Sequence, residues 1–540
     1  MTEQFDFIIV GAGAAGALIA HRLVVEGGFS VCLLEAGPKD RNLFLHIPGG
    51  FTKTFKNPNV TYQQFTEPSE GSGGRAINLV QGKTLGGSTA VNGFNYNRGQ
   101  KEDFDGWAQM GNKGWGYEDI LPLFKKTEAK RGVADPSTRG KNGPLPITDT
   151  DWRHPLCDAF IETCGQFGMP PHHDYNSGDQ RGAGYFQRWI ENGWRVSSAR
   201  AFLHPLKQNP KLNIRTDAVV ENILIDEGRA YGVRYRKMNT GSVQEIRASG
   251  EVIVCAGAAQ SPKLLKLSGL GPGEELKNWG IDVIQDLPAV GENLQDHYMV
   301  RMVRHVPNMR TINSLGRGWR LGKEISKWLL GKPSILAISP SVAFGFTNAR
   351  QLDDLPDIQL NFTPGSYKAS VPGLLDSFDG ATLGFYQLRP ESKGWVRLKS
   401  RDPRDNPLVQ PNYLESEVDK LLTVAGIRLM DEIFSTDPLG KHCQQPMYPD
   451  PANASDDELL AFAQTEGGTA YHIMGSCRMG PITEANAVVT PDLKVRGILG
   501  LRIADASVMP TMPSANLTAG VFMIAEKASA MIINEYRNNS

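Results

Sequence analysis

The feature that most constrains this chain is a glycine-rich turn directly after an apolar segment at its N-terminus. Residues 5–10 are mostly apolar with β-branched members, and they predict a buried strand. The sequence Gly11-Ala-Gly13-Ala-Ala-Gly16 that follows allows a tight turn, a close approach of backbone to a pyrophosphate, and close helix packing. The next helix, predicted from Ala14 to about Val25, points its free N–H groups at the phosphates. This order of elements predicts a dinucleotide site.

A second apolar segment ends in an acid that completes the motif. Residues 30–34 predict a strand, and Glu35 follows at close to the roughly 20-residue spacing at which an acid binds a ribose hydroxyl. A glycine-rich turn without a ligand is the alternative interpretation of the glycines alone. The motif does not separate a nicotinamide from a flavin cofactor.

Length and charge exclude several classes of protein. A chain of 540 residues predicts two or more domains. Lys and Arg number 57 against 58 Asp and Glu, so the net charge of −1 predicts no nucleic-acid partner. No apolar run approaches the roughly 18 residues of a membrane span. The N-terminus enters the first predicted strand at once, so no signal peptide is expected.

The cysteines indicate the redox environment. Six are scattered along the chain without a C-x-x-C pair, which predicts small core residues in a reducing compartment and a cytoplasmic location. Histidines and cysteines nowhere cluster at ligand spacing, so no metal site is expected. Cys477 stands five residues from His472 and is an alternative candidate for a catalytic thiol.

The rest of the chain predicts an α/β fold, α+β overall, with a Rossmann-like dinucleotide domain and a second, antiparallel substrate domain. Residues 103–128 predict a helix, residues 213–224 with 229–236 a hairpin, and residues 250–257 another buried strand. Ser261 before Pro262 predicts a helix start. Strands are expected at 357–362, 381–388 and 395–399 and near 501–505, with a C-terminal amphipathic helix from Val521. The predicted boundaries are 1–155, 200–299 and 461–540 for the cofactor domain, 156–199 for a connection or substrate-domain segment, and 300–460 for the substrate domain.

Four blocks of sequence resemble the glucose–methanol–choline (GMC) oxidoreductases, a family of FAD-dependent alcohol-oxidising enzymes. They are Gly11–Gly16 with Glu35; residues 82–88 with Asn92; residues 257–271; and Tyr471-His472 with residues 505–526. Residues 290–297 and 390–398 also look like family segments. The sequence pattern is most similar to that of bacterial choline-dehydrogenase-like and alcohol dehydrogenases, and the resemblance covers nearly the whole chain.

The resemblance implies an FAD site built from separated segments. It implies the pyrophosphate on the glycine turn, the adenosine ribose on Glu35, the adenine at Val219, the flavin at residues 82–95 and Asp505 near the ribityl chain. The cofactor-binding residues so implied are Gly11, Gly13, Ala14, Ala15, Gly16, Glu35, Ala36, Gly86, Gly87, Ser88, Asn92, Gly93, Val219, Ala256, Gly257, Asp505, Ala506, Leu517 and Thr518.

Departures from the family pattern stand close to the implied flavin. Some members bind FAD covalently through a histidine at the position of Val91, so non-covalent FAD is predicted here. Val80-Gln81 replaces a common Pro-Arg pair, and Leu517-Thr-Ala-Gly520 replaces the usual run after the asparagine. These departures bear on pocket shape and acceptor preference.

His472 and Asn516 are the candidate catalytic residues. Alcohol oxidation removes a hydroxyl proton and a carbon-bound hydride, so a flavin enzyme needs a base beside the ring. Neutral imidazole, with an ordinary pKa of about 6.5, can take that proton at neutral pH. Asn516 is expected to bind the same oxygen, although asparagine is also a good residue before a helix. His297 is interpreted as structural or near the flavin edge.

Alternatives for the reaction and its partners remain open. The predicted substrate is a primary alcohol, and the electron acceptor is a quinone, another carrier or oxygen. The same fold serves lyases that cleave cyanohydrins and a fatty-acid photodecarboxylase, and a flavin-binding structural protein is a third class. A quaternary-amine substrate requires an aromatic cage with an acid. The aromatic residues available for one are Trp319, Trp328, Phe362, Tyr367 and Tyr386.

One amphipathic segment could reach outside the enzyme. Residues 317–332 carry basic and aromatic side chains, which suggests contact with a membrane surface or a lid. A surface helix packed on its own domain is the ordinary interpretation of one such segment. Peripheral association with the inner membrane is therefore a hypothesis.

Overall fold

The computed structural model describes residues 3–350, 355–368, 374–444 and 450–538. Within these ranges the α-helices are α1 Ala14–Val25, α2 Phe51–Thr54, α3 Lys101–Gln109, α4 Tyr117–Thr127, α5 Pro155–Gly165, α6 Gln260–Leu267, α7 Gly273–Asn278, α8 Ile312–Leu315, α9 Gly318–Leu329, α10 Glu417–Ser435, α11 Asp456–Glu466 and α12 Thr518–Asn538. The strands are β1 Gln4–Val10, β2 Val31–Leu34, β3 Thr61–Phe65, β4 Asn78–Gly82, β5 Glu128–Lys130, β6 Leu145–Asp149, β7 Gly182–Tyr185, β8 Gln187–Arg188, β9 Ile190–Glu191, β10 Trp194–Arg195, β11 Leu212–Arg215, β12 Ala218–Asp226, β13 Arg229–Lys237, β14 Val243–Val254, β15 Leu270–Gly271, β16 Gln285–Asp286, β17 Tyr298–His305, β18 Ala343–Thr347, β19 Ile358–Thr363, β20 Gly380–Gln387, β21 Trp395–Arg397, β22 Leu408–Gln410, β23 Gly468–Thr469 and β24 Leu501–Ile503.

The first sheet has seven strands drawn from the beginning, middle and end of the chain. Its order is β11-β2-β1-β14-β13-β12, and β24 also pairs with β14. In the parallel part, Val10 lies opposite both Leu34 and Val254, and Val254 lies opposite Ile503. The carboxyl ends of four strands therefore meet at one edge of the sheet, where ligands bind in folds of this kind.

Two glycine-rich loops pack against each other at that edge. Gly11 has φ +100°, and a Cβ there would lie 2.5 Å from the carbonyl oxygen of Cys255. Gly87 has φ +50°, and a Cβ there would lie 2.7 Å from Cα of Gly13. The amide of Gly86 donates to the carbonyl of Ala12 at 2.9 Å. Glycine is needed at these positions because no other residue lets the two backbones come so close.

The C-terminal helix α12 packs on the first helix, α1, beside the seven-stranded sheet. Buried Glu526 of α12 accepts from the guanidinium of Arg22 at 2.6 Å. An unpartnered charge at either position would be costly in this buried setting, so the pair ties the two ends of the chain to one arrangement.

The second sheet has six antiparallel strands in the order β23-β17-β20-β19-β18-β7. One face packs on helices, with Phe160 of α5 stacked on Phe362 at 4.7 Å and Phe385 against Gly426 of α10. Alternate residues point to the other face, which lines a cavity. The predicted fold class is thus confirmed, whereas the predicted domain boundaries stay a prediction.

Local predictions differ from the structure where turns intervene. Residues 213–224 are not one strand, because Asp217 takes φ 55° and separates β11 from β12. The helix expected over 103–128 is divided into α3 and α4, with Gly111 at φ 92° and Gly114 at φ 79° between them. The helix predicted at Ser261 is present as α6, with Pro262 in its first turn. Helix α6 starts one residue earlier, and the Ser261 hydroxyl donates to Asp505 at 2.6 Å.

The contact between the two glycine loops predicts the effect of a single methyl group. Gly87→Ala forces the loops apart, whereas Gly74→Ala places a methyl group where no atom lies within 4 Å, at a similar φ of +72°. Both changes add left-handed strain of about 1–2 kcal/mol. We expect Gly87→Ala to lower the free energy of unfolding in urea clearly more than Gly74→Ala does. Equal losses would show that the close approach is unimportant.

Candidate active site

A cavity of about 1020 Å³ runs from the edge of the seven-stranded sheet to the six-stranded sheet. Nearly all of the sequence-predicted site residues line it. Gly16 and Gly86 do not, and both act on backbone geometry instead. A Cβ on Gly16 would lie 1.9 Å from the carbonyl oxygen of Gly11, and Gly86 takes φ +91° in its turn. The predicted residues on the cavity wall are Gly11, Gly13, Ala14, Ala15, Glu35, Ala36, Gly87, Ser88, Asn92, Gly93, Val219, Ala256, Gly257, His472, Asp505, Ala506, Asn516, Leu517 and Thr518.

Two acids at the sheet edge are fixed by backbone amides. Glu35 accepts from the N–H groups of Ala12 and Gly37, each at 2.9 Å, and burial raises the pKa of its carboxyl to about 7. Asp505 accepts from the N–H groups of Gly257 and Ser507, each at 2.8 Å. Glu35 therefore sits at the end of β2 beside the glycine turn, and Asp505 links the ends of β14 and β24.

The same edge offers a cradle for a phosphate-containing cofactor. A Cβ built on Gly257 would meet no atom within 4 Å, and one on Gly13 only Cα of Gly87 at 4.0 Å, so both backbones face open space. The first turn of α1 begins without a side-chain cap, which leaves its N–H groups to a ligand. These features fit the pyrophosphate of a dinucleotide.

At the other end of the cavity, His472 and Asn516 lie in hydrogen-bond contact. Nδ2 of Asn516 is 3.2 Å from Nε2 of His472, although the two residues come from a loop after β23 and from the turn before α12. Oδ1 of Asn516 is buried and accepts no hydrogen bond of good geometry from the described residues, although the Tyr386 hydroxyl lies next to this amide. A buried amide oxygen of this kind, next to a histidine, can accept a hydrogen bond from a ligand that carries a donor group.

A second histidine determines which nitrogen of His472 carries the proton. Nε2 of His297 lies 2.9 Å from the carbonyl oxygen of Leu388, which can only accept, so Nε2 is the protonated nitrogen of neutral His297. Its Nδ1 therefore accepts, and it lies 2.9 Å from Nδ1 of His472. His472 must donate through Nδ1–H, which leaves the lone pair on its Nε2. That lone pair meets the amide N–H of Asn516.

The backbone around His472 is held by a buried acid. Asp296 accepts from the His472 amide at 2.7 Å, from the Tyr413 hydroxyl at 2.6 Å and from the Thr469 hydroxyl at 2.5 Å. Tyr471, directly before His472, takes φ 66°, a conformation that costs energy for a residue with a bulky side chain. The network around Asp296 thus keeps a strained turn that presents His472 to the cavity.

Burial keeps both imidazoles neutral. Loss of solvation lowers the pKa of His297 to about 4, and loss of solvation together with the neighbouring His297 holds the pKa of His472 well below its usual value. His472 is therefore an unprotonated base at neutral pH. Sequence reasoning assigned no catalytic part to His297, and the signal that it missed was the run Gln295-Asp296-His297 beside a histidine far along the chain.

The other candidates named from sequence lie elsewhere. Burial raises the pKa of the Cys477 thiol far above its usual value, and Cys477 does not line the cavity. Of the five aromatic residues considered for a cage, only Tyr367 lines the cavity. Tyr386 stacks on His297 with ring centres 4.5 Å apart, and Trp328 packs on Trp194. The five residues thus form no cage.

The dinucleotide-type sheet edge, with a histidine–asparagine pair at the other end of the same cavity, is the arrangement expected of an enzyme that works with a bound dinucleotide cofactor. Profiles described as GMC oxidoreductase match residues 5–299 and residues 390–525. The chain belongs to the GMC oxidoreductase family.

Curated relatives and a solved structure agree with this assignment. The alcohol dehydrogenase [acceptor] of Pseudomonas putida is 36% identical over 98% of this chain and 96% of its own length. The oxygen-dependent choline dehydrogenase of Brucella ovis is 35% identical over 98% of this chain and 96% of its own length. A structure on FAD modification in formate oxidase from Aspergillus oryzae RIB40 superposes with a TM-score of 0.91 and 25% identity, over 100% of this chain and 99% of that one.

These findings establish the coarse function. The protein is an FAD-dependent oxidoreductase that acts on alcohols, so its partners are a small-molecule alcohol and an electron acceptor.

The tautomer of His472 can be tested by ¹⁵N NMR of histidine-labelled protein. We expect protonated Nδ1 and unprotonated Nε2 for His472, with no proton uptake by the pair as the pH falls from 8 through the ordinary histidine pKa of about 6.5. His297→Phe removes the acceptor for Nδ1–H and should mix the tautomers. His297→Asn keeps an acceptor near the position of Nδ1 and should preserve the wild-type pattern. A wild-type His472 protonated at Nε2 would contradict the assignment.

Proposed function

We propose that the protein oxidises a primary alcohol to the aldehyde, with His472 as the base that takes the hydroxyl proton. When bound, FAD supplies the acceptor of the carbon-bound hydride at its N5 position. The observation that carries this proposal is the chain of contacts from the Leu388 carbonyl through His297 to Nδ1 of His472. This chain places the proton of His472 on Nδ1 and leaves Nε2 of this cavity-lining residue free to act as a base. Removal of the hydroxyl proton by a fixed base raises the tendency of the carbon to release hydride.

Asn516 positions the hydroxyl oxygen in this proposal. Its Nδ2 lies 3.2 Å from Nε2 of His472 and carries a second N–H group, which can donate to a substrate oxygen that lies beside the pair, within reach of both. The developing alkoxide then has the amide of Asn516 and the newly formed imidazolium as its partners. His297 is a positioning residue, since it reaches the substrate only through His472.

We propose that FAD is bound without a covalent link. Val91 lines the cavity where some family members carry the histidine that attaches the flavin, and valine has no nucleophilic atom. We propose a quinone, another carrier or oxygen as the electron acceptor, because the names of the two relatives above point to different acceptors. The unpaired cysteines fit the proposed cytoplasmic location.

Anaerobic reduction of the flavin by an alcohol panel tests the proposal. Choline, benzyl alcohol, medium-chain alkanols, polyethylene glycol and hydroxymethylfurfural are mixed with the holoenzyme, and loss of flavin absorbance gives the rate of reduction. His472→Gln occupies the site of Nε2 with a group that cannot take a proton, so we expect the rate to fall by about a hundredfold or more. Admission of oxygen then separates rapid reoxidation by oxygen from a requirement for another acceptor.

The control for this substitution is His442→Gln, on a short turn away from the cavity, which should reduce flavin at the wild-type rate. FAD should leave with the supernatant when the protein is precipitated with acid. Reduction at the wild-type rate in His472→Gln would reject His472 as the base, and flavin retained in the pellet would reject non-covalent binding.

We also propose that helix α9 rests on the surface of an anionic membrane. The described helices include none that is both long and apolar enough to cross a bilayer. Glu324 and Trp328 anchor one side of α9, while Trp319 and Leu329 are each 71% exposed on the other. Lys323 is exposed beside them, a pattern typical of interfacial helices. None of residues 317–332 lines the cavity, which disfavours a lid.

Flotation with vesicles tests this contact. Wild-type protein should float with phosphatidylglycerol vesicles and less with phosphatidylcholine vesicles, and the double variant Trp319→Ser/Leu329→Ser should stay at the bottom. Leu421→Ser is the matched control, because Leu421 is also an exposed apolar residue on a helix, at 62% exposure. Wild-type protein that does not float with anionic vesicles would contradict the proposal.

A further inference from the structure

An arginine lines the part of the cavity that is formed by the six-stranded sheet, and it has no ion-pair partner within the described part of the chain. Arg301, on β17, is exposed to the cavity, and the surrounding protein is close enough for burial to lower the pKa of its guanidinium. Among the described residues, the only ionisable group that acts on it is the Tyr471 phenol, and no carboxylate pairs with it. A guanidinium that lines a concave site without a counter-ion is well placed to bind an anion.

The neighbouring strand is shaped to receive this side chain. Arg301 lies opposite Gly384 of β20, and a Cβ on Gly384 would lie 3.0 Å from Cγ of Arg301. The stem of the arginine thus passes over a position that has no side chain. Glycine weakens a strand interior, and its presence there often marks a close approach of another group.

The charge of this wall is not balanced by acids. The acids on the cavity wall are Glu35, Asp505 and Glu466. The first two are bound to backbone amides at the opposite, nucleotide end, and Glu466, the last residue of α11, forms no ion pair with Arg301 among the described residues. Another wall arginine, Arg75, is already satisfied by the carbonyl of Gln464 at 2.7 Å. Arg301 is different, because it donates to no carbonyl or carboxylate of the residues that the structure describes.

Arg301 is near enough to His472 for one substrate to touch both. His297 contacts His472 and directly precedes β17, and Arg301 is four residues further along. At roughly 3.3 Å of rise per residue, the backbone positions of His297 and Arg301 lie about 13 Å apart, and His472 is in contact with His297. The side chains of His472 and Arg301 both enter the cavity, so a medium-length molecule suffices.

From these contacts we propose that Arg301 binds an anionic group, a carboxylate or a phosphate, carried by the alcohol substrate at the end remote from its hydroxyl. This proposal rests on the alcohol oxidation proposed above. The planar guanidinium matches the paired oxygens of either anion. The anion itself is unchanged, since the proton and hydride both leave the carbinol end. A quaternary ammonium at the same place would be repelled.

The test compares anionic and neutral alcohols of equal length. Apparent Kd values for flavin reduction are measured with ω-hydroxyhexanoate, ω-hydroxyhexyl phosphate and n-hexanol, in wild type, Arg301→Met and Arg301→Lys. We expect the wild type to favour an anionic alcohol over n-hexanol by about tenfold or more, since a hydrogen bond to a charged group is involved. The anionic alcohol with the lower Kd shows whether a carboxylate or a phosphate is the group that Arg301 binds.

The variants should separate charge from shape. Arg301→Met keeps an unbranched side chain without the charge, so the ratio of the Kd of n-hexanol to that of the anionic alcohol should fall towards one. Arg301→Lys keeps the charge and should retain part of the preference for the anion. Arg131→Met removes a cation from an exposed surface pair and should leave the ratio at its wild-type value. A wild type without preference, or an Arg301→Met variant that keeps it, overturns the proposal.

Binding of hexanoate tests the anion site independently of the proposed alcohol oxidation. Hexanoate has no hydroxyl to oxidise, and its binding is followed by the change in the flavin spectrum and by calorimetry. If no alcohol reduces the flavin, the proposed oxidation fails, yet weaker hexanoate binding in Arg301→Met than in wild type still supports the anion site. Equal hexanoate binding in both proteins refutes it.

Discussion

The architecture of this protein depends on the register of four parallel strands. Because Val10, Leu34, Val254 and Ile503 end at one level, the glycine turn, Glu35, Gly257 and Asp505 all reach the same edge. Glycines then let a second loop approach within backbone contact of the first. A slip of register in any of these strands would move its terminal residue away from the others, so the nucleotide end of the cavity is a direct product of the pairing.

Much of this fold could be predicted from sequence, because local signals determine it. The run from Phe5 through Gly16 contains strand, turn and helix in a continuous segment, and a glycine-rich turn has few other uses. Turns were harder: Asp217 adopts a left-handed conformation for which the sequence has no glycine, and a single predicted strand became two. Ser261 looked like a helix start, yet its hydroxyl serves Asp505, a residue more than 240 positions away.

The residues of the candidate site could be predicted from the sequence, but which nitrogen of His472 carries the proton could not. His472 and Asn516 were identified through a family resemblance, whereas the direction of the hydrogen bonds between His472, His297 and the Leu388 carbonyl required coordinates. Arg301 carried no signal at all in the sequence. An arginine is ordinary on a strand of alternating polarity, and only the cavity around it and the glycine opposite it make its unpaired charge informative.

The seven-stranded sheet also bears on how the enzyme is made. Strand β24 and helix α12 come from the last part of the chain, but they complete the sheet and pack on the first helix through Arg22 and Glu526. Contacts between such distant residues form late, since Arg22 and Glu526 close a loop of 504 residues. During synthesis, the segment that begins with the glycine turn must wait for its partners. The cofactor site is therefore completed only after β24 and α12 have been synthesised and have joined the sheet and the first helix, so FAD enters after that step.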